Sequence, residues 1–323
     1  MSWFLSHNFD QKRAHLEARM KIIKNIRSTF DEQGFWEVET PVLQVCPTFD
    51  LHIHGIPAGK DQYLRTSPEL DMKKLMVAGV ENLYQIGSVF RDEPKSKTHN
   101  PEFTMLEWYR TGKDYRALIE DCRTILRSSA DLYTYGDKSC DPSLNLNINS
   151  IVEIFDKYIK IDLMACLQDT QKFAALLGDK GVRTTPDDTW EDLFHAAMAE
   201  KIEPHLGVGA PTIIYDYPIS MASLARPKPE DPRFAERMEL YVCGVELANG
   251  FSELTDPKIQ RDRFDKDMNE KNRLHGVSYK PDEEFFAALG HGLPESTGMA
   301  LGLDRLVMLA TGARDIKDVL WCA

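Results

Sequence analysis

The chain has 323 residues, 42% hydrophobic and 28% charged, an ordinary composition for a globular protein long enough to bury a core. Its formal net charge is −12, from 39 Lys and Arg against 51 Asp and Glu. That balance lacks the basic excess by which a dedicated nucleic-acid-binding module grips phosphates. The six cysteines (Cys46, Cys122, Cys140, Cys166, Cys243 and Cys322) form no C-x-x-C pair, which argues against a zinc or redox motif and fits a reducing compartment. No apolar run reaches the roughly 18 residues of a membrane span, and no apolar signal core opens the chain, so a cytoplasmic protein is expected.

Residues 10–33 are predicted to be helical, because Leu16, Met20, Ile23, Ile26 and Phe30 recur at spacings of three and four. Gly34 stands just past the end, as a helix C′ residue does. Phe35-Trp36-Glu37-Val38-Glu39 alternates apolar and acidic, as a half-buried strand does, and Pro41 stops it. Residues 51–65 read as short strands with a turn at Gly59. Ser67-Pro68-Glu69-Leu70 opens a helix, with Ser67 as N-cap and Pro68 in the first helical position. Strands are expected over 83–91 and 102–110, and a helix over 114–134. Residues 137–206 read as an insertion, loop-like to 149 and mostly helical from 150, with no chemistry assigned. Strand signal returns in TIIYDYP at 212–218 and in MELYVCGVELANGF at 238–251. A charged, exposed helix follows over 257–275. Over 298–311 a strand breaks at Gly302 into a helix. Strands that cluster in hairpins with helices between distant ones predict one α+β domain with a mainly antiparallel sheet.

Several common enzyme signatures are absent. Gly55–Lys60 (GIPAGK) has the wrong spacing for a P-loop, and neither G-x-S-x-G nor H-E-x-x-H occurs. Arg91 follows the apolar strand LYQIGSVF. A guanidinium there can hold a phosphate or carboxylate bidentately; the alternative is a surface pair with Asp92 or Glu93. Strand geometry puts Phe103, Met105, Glu107 and Tyr109 on one face. A carboxylate buried in such company needs a cationic partner, which in a ligand is an ammonium. Glu239, Glu246 and Glu253 are spaced by seven. In one regular strand the first two would face opposite ways, so a bulge or bend is expected at Gly244. Two carboxylates brought together suit Mg²⁺; the alternative is a solvated edge strand. Gly302 permits close backbone approach to a ligand. Arg305 would sit in the first helical turn, where free N–H groups favour anions, unless it pairs with Asp304.

Together these segments resemble the catalytic core of the class II aminoacyl-tRNA synthetases. Gly34–Pro41 (GFWEVETP) is similar to motif 1, Phe90–Glu107 to motif 2 and Gly298–Arg305 to motif 3. Within that class, TSPEL at 66–70, HNPEFTMLEWY at 99–109 and ELANGFSEL at 246–254 resemble the lysyl group. The resemblance implies roles. Arg91 would bind the substrate carboxylate and the α-phosphate of ATP. His99, Asn100 and Phe103 would hold ATP, Arg305 would lie near the γ-phosphate, and Asp92, Glu93, Leu247 and Gly302 would frame the nucleotide. Glu239 and Glu246 would coordinate Mg²⁺. Ser67, Pro68, Glu69, Glu107, Tyr109, Asn249 and Glu253 would line the site for a lysine-type amino acid. Motif 1 implies a homodimer, with Phe35, Val38 and Pro41 facing the partner.

Two departures sharpen the expectation. Only 33 residues precede Gly34, so an anticodon-binding OB-fold ahead of motif 1 is not expected, nor is tRNA binding. Ala300 also stands where the lysyl enzymes usually have glycine, and one methyl is worth roughly 1–3 kcal/mol of discrimination in such a pocket. This layout resembles a compact paralogous group that places β-lysine on a lysine of elongation factor P. The implied activity is an ATP-dependent, AMP-forming ligase with no covalent enzyme intermediate. A truncated lysyl-tRNA synthetase charging tRNA and a non-catalytic paralogue serving as a binding module are the alternatives.

Overall fold

The computed structural model describes residues 5–322. The chain begins with α1 (Ser6–Glu32), β1 (Trp36–Glu37), β2 (Leu43–Gln44), β3 (Pro57–Gly59), β4 (Gln62–Leu64) and α2 (Glu69–Val77). The hairpin β5 (Asn82–Phe90) and β6 (Glu102–Thr111) follows, then α3 (Ala117–Ser129), β7 (Tyr133–Tyr135), β8 (Lys138–Cys140) and β9 (Asn147–Ser150). A helical stretch holds α4 (Ile151–Ile159), α5 (Thr170–Asp179) and α6 (Trp190–Ala197). The chain closes with β10 (Thr212–Pro218), β11 (Phe234–Val242), β12 (Val245–Ser252), α7 (Pro257–His275), α8 (Glu283–Gly292), β13 (Ser296–Gly302) and α9 (Leu303–Thr311).

Eight strands form the main sheet in the order β1-β5-β6-β13-β12-β11-β10-β9. Only the outermost pairs, β1 with β5 and β9 with β10, are parallel. The α+β, mainly antiparallel prediction therefore holds. One face packs on α1, α3 and α9 through Ile22, Ile26, Phe30, Trp108, Leu118, Met299, Leu301 and Leu306. The opposite face is flanked by two further cores. One joins α2, α7 and α8 around Phe49, Met72, Phe264 and Phe286. The other fills α4–α6 with Phe155, Phe173, Leu193 and Phe194, and rests on Tyr217 and Tyr241 of the sheet. The space between these flanks is the site.

Several local expectations shift. The apolar stripe of α1 runs through Leu16, Ile22, Ile26 and Phe30, whereas Met20 is 51% exposed. The helix is turned so that buried Arg19 meets Asp304 of α9, and that ion pair displaces Met20 from the inner face. Gly34 has φ +76 and stands at C′ as expected. Phe35 is buried in its own chain's core, so it cannot face a partner; Trp36, 66% exposed, is the apolar residue presented outward. The helix predicted over 114–134 stops at Ser129, because Tyr133–Tyr135 pairs with Lys138–Cys140 across Gly136, which has φ +64. Part of the expected loop 137–149 is thus strand, and β9 extends the main sheet.

Candidate active site

Strand register brings the predicted residues together. At the tip of the β11–β12 hairpin Cys243 and Gly244 have φ +54 and +76, the paired positive values of a tight two-residue turn. Gly244 is therefore consumed by the turn. The bulge lies at Leu247 instead: Glu246 pairs with Tyr241 and Ala248 with Leu240, leaving Leu247 unpaired. That extra residue cancels the odd spacing and sets Glu239, Glu246 and Asn249 on one face. Across the neighbouring strands Asn249 pairs with Ala300, and Ala300 with Glu107. Phe103, Met105, Glu107 and Tyr109 share that face, as predicted. The face floors a cavity of about 710 Å³.

One end of the cavity is rich in carboxylates. Glu107 is buried and accepts hydrogen bonds from Ser67 Oγ at 2.8 Å and Tyr109 OH at 2.6 Å. Burial, then the nearby charge of Glu69, pushes its pKa up to about 7. Ser67 Oγ also accepts from the Glu69 N–H at 2.9 Å, although α2 starts one residue later than expected, with Pro68 as its N-cap. Tyr109, buried beside Glu107, has its pKa raised well above the usual value. Lys73, one turn beyond Glu69 and itself buried, lies 2.6 Å from Glu69 Oε1 and 2.5 Å from Glu253 Oε2. Burial disfavours its charge, but Glu253 and Glu69 outweigh that and raise its pKa. Burial pushes Glu253 up to about 8, with Lys73 opposing. Glu253 and Lys73 do not line the cavity, whereas Glu69, paired with Lys73, does. Gly298 makes this packing possible, since a methyl there would overlap the Tyr109 ring and lie 2.9 Å from Glu253 Oε1.

The other end is cationic. The Arg91 guanidinium lies 5.2 Å from the Phe103 ring centroid, and its Nε is buried with no hydrogen-bond partner among the described residues. Burial lowers its pKa, against the charges of Glu93, Asp50 and Glu246. The surface-pair alternative for Arg91 is thereby disfavoured. Arg305 donates to the Glu246 carbonyl at 2.8 Å and the Thr98 carbonyl at 3.3 Å, and meets His99 Nε2 at 2.6 Å. Since a guanidinium only donates, His99 accepts at Nε2 and turns its Nδ1 to Ser96 and Thr98. Burial and Arg305 lower the His99 pKa, which keeps the ring neutral. Asp304 is taken by Arg19 at 2.5 Å and by the Thr104 N–H at 2.8 Å, which removes the Arg305–Asp304 alternative. Asn100 donates to the Glu102 carbonyl at 2.6 Å and lines the cavity with Glu93, Leu247, Gly302 and Ala300. Asp92 and Pro68 do not line the cavity. The Asp92 N–H bonds the His54 carbonyl, and Pro68 is buried at the helix start.

Glu239 is more occupied than its sequence position implies. Its Oε2 accepts from Tyr217 OH at 2.5 Å and Tyr241 OH at 2.7 Å, and its Oε1 from Arg237 at 2.6 Å. Burial and Glu239 raise the Glu246 pKa, against Arg305, Arg237 and Arg91. A dication would relieve that strain. Among the described residues no group of three or more His, Cys, Asp or Glu is placed to hold a metal alone. Glu246 and Oε1 of Glu239 fit Mg²⁺ only where phosphate oxygens complete the shell, which is its usual mode.

Sequence reading missed Lys73, Arg237, Tyr217, Glu203 and His195. Arg237 was findable, two residues before Glu239 on the same strand face. Lys73 stands at i+4 from Glu69, a spacing that ordinarily marks a surface pair and so gave no signal by itself. Glu203 and His195 carried no signal, yet both line the cavity from the helical stretch that was assigned no chemistry. Burial and the charges of Glu246 and Glu239 push the Glu203 pKa up to about 7.

Residues 3–322 match the family described as tRNA synthetases class II (D, K and N). A Proteus mirabilis (strain HI4320) protein named elongation factor P–(R)-β-lysine ligase is 42% identical over 318 residues, 95% of this chain and 94% of that protein. Proteins of the same name from Enterobacter sp. (strain 638) and Salmonella paratyphi B (strain ATCC BAA-1250 / SPB7) are 40% and 39% identical, with the same shares covered. This chain belongs to the class II tRNA synthetase family of the D, K and N type, in the group formed by these relatives.

Proposed function

We propose that the protein is an ATP-dependent ligase that activates (R)-β-lysine as its adenylate and transfers it to a lysine side chain of elongation factor P. The names of its relatives support that substrate and acceptor. The observation that carries the reading is a single cavity with Glu69 and Glu107 at one end and Arg91 and Arg305 at the other. A β-lysine has two ammonium groups and one carboxylate, and ATP is a polyanion, so each end has its counterpart.

In the first step the β-lysine carboxylate attacks the α-phosphorus of ATP in line and pyrophosphate leaves. Arg91 orients both reacting groups. Phe103 stacks on the adenine, with His99 and Asn100 beside it, and Arg305 binds the distal phosphates. Mg²⁺ held by Glu246 and Glu239 would neutralise phosphate charge. Glu69, Glu107, Tyr109 and Asn249 hold the ammonium groups, and Ala300 shapes the floor beneath them. In the second step the neutral ε-amine of the acceptor lysine attacks the adenylate carbonyl carbon. An amide forms, AMP leaves and a proton is released. We also infer a homodimer through residues 36–45, where Trp36, Leu43 and Val45 are exposed; a monomer by light scattering at micromolar concentration would contradict it.

The test is incubation with ATP, labelled (R)-β-lysine and either unmodified elongation factor P or tRNA. Label on the factor, lost when its acceptor lysine is replaced, supports the proposal. Label on tRNA alone points to a synthetase, and no activation at all to a binding module.

A further inference from the structure

Lys271 is a buried lysine for which the proposed chemistry has no use. It sits on the inner side of α7 with 0% of its surface exposed. Its Nζ donates to three carbonyl oxygens of one loop, Asp50 at 3.0 Å, Leu51 at 2.9 Å and Ile53 at 2.6 Å. An ammonium has three N–H donors, so the cap is saturated. The same loop lines the cavity with Asp50, His52 and Ile53. One residue on, the His54 carbonyl accepts the N–H of Asp92 at 2.9 Å, next to Arg91. Gly55 N–H is held by Tyr279 OH at 2.8 Å, and the Tyr279 ring lies 5.4 Å from the Lys271 ammonium. Arg91, by contrast, has a buried Nε without a partner among the described residues. Its aim therefore depends on where the backbone around it is held.

We propose that Lys271 is a positioning residue: its ammonium, capped by residues 50–53, sets the loop that holds the backbone at Asp92, while the Arg91 N–H is held by the Pro101 carbonyl, and the two anchors together direct the guanidinium into the cavity. The inference rests on Arg91 acting as the group that orients carboxylate and α-phosphate. It has a pH consequence. Burial lowers the Lys271 pKa to about 8, with Asp50 and Cys46 opposing. Burial, and after it Lys271, lowers the pKa of His54, which also faces His275, His52 and the opposing charge of Asp92. A neutral amine keeps two N–H groups for three carbonyls, so the clamp loosens as pH rises past that value.

The experiment is β-lysine-dependent pyrophosphate exchange by the full chain and by Lys271→Arg and Lys271→Met, from about pH 6.5 to 9.5. It is read with hydrogen exchange at residues 50–55 and Asp92. The wild-type kcat should fall at least about threefold above pH 8, whereas Lys271→Arg, charged throughout, should lack that fall. Lys271→Met should lose about tenfold or more in kcat at pH 7.5, as a misplaced orienting group does, and should exchange faster at residues 50–55 and Asp92. A Lys271→Met rate within twofold of wild type, or a wild-type fall retained in Lys271→Arg, overturns the inference. If Lys271→Met fails to fold, the wild-type and Lys271→Arg pH profiles decide. Absence of exchange in the wild type would overturn the ligase reading instead. The hydrogen-exchange arm would then still decide Lys271, since unchanged protection in Lys271→Met means no clamp.

Discussion

At the scale of single residues, the carboxylate-rich end of the cavity holds a titratable carboxyl at Glu107. Burial pushes Glu107 up to about 7 from the usual 4.5. The stability this protonated carboxyl lends the ligand-free protein is full below pH 4.5 and is lost as pH rises through 7. An ammonium substrate favours the charged forms, so its binding releases protons. KM for β-lysine should therefore fall as pH rises from about 6 to 8, and Glu107→Gln should flatten the profile while raising KM by about 10- to 100-fold. A wild-type KM that is flat over this range would contradict the assignment. Arg91→Ala should lower adenylate formation by about 10²-fold or more without a comparable loss of stability, measured by pyrophosphate exchange and thermal melting. Glu107 was legible in sequence because strand alternation set a carboxylate among Met105 and Tyr109. Lys73 was not singled out, since an i,i+4 lysine on a helix is ordinarily a surface partner, and only burial turns it into part of the site.

Among elements, the site depends on backbone detail more than on side-chain choice. The bulge at Leu247 decides that Glu246 joins Glu239, and strand periodicity demanded an irregularity without locating it. Gly244 drew the assignment because a glycine serves a bulge or a turn equally well. Gly298 has a narrower role, leaving room for the Tyr109 ring and the Glu253 carboxylate, which a methyl there would crowd. Gly298→Ala should cost about 1–3 kcal/mol of stability and raise KM for the amino acid, checked by chemical denaturation and exchange kinetics. An unperturbed Gly298→Ala enzyme would mean that the strand separates without cost. The helices α4–α6 show where sequence falls short. Their apolar spacing gave a correct helical reading, but nothing local marks His195 and Glu203 as cavity residues. That placement comes from the docking of their core onto Tyr217 and Tyr241.

For the whole molecule, the two ends of the chain are locked together behind the sheet. Arg19 of α1 and Asp304 of α9 are 285 residues apart and almost wholly buried, and Asp304 also holds the Thr104 N–H beside the cationic end of the cavity. Removing one partner of a buried pair leaves an uncompensated charge, so Arg19→Met should destabilise by about 3–5 kcal/mol in urea denaturation. A loss below 1 kcal/mol would show that the pair is dispensable. The fold was foreseen only as a class, and the sheet order and the placing of the cores were not, because register and long-range pairing are set by contacts that no local window contains. Ends of opposite charge, floored by one mainly antiparallel sheet and closed by α6 and the loop at residues 48–53, form the arrangement on which the functional proposal stands. Its most direct test is the fate of labelled (R)-β-lysine when protein, ATP, elongation factor P and tRNA are present together. The account predicts ATP-dependent label on a lysine of the factor and none on tRNA; label on tRNA with an unmodified factor would contradict it.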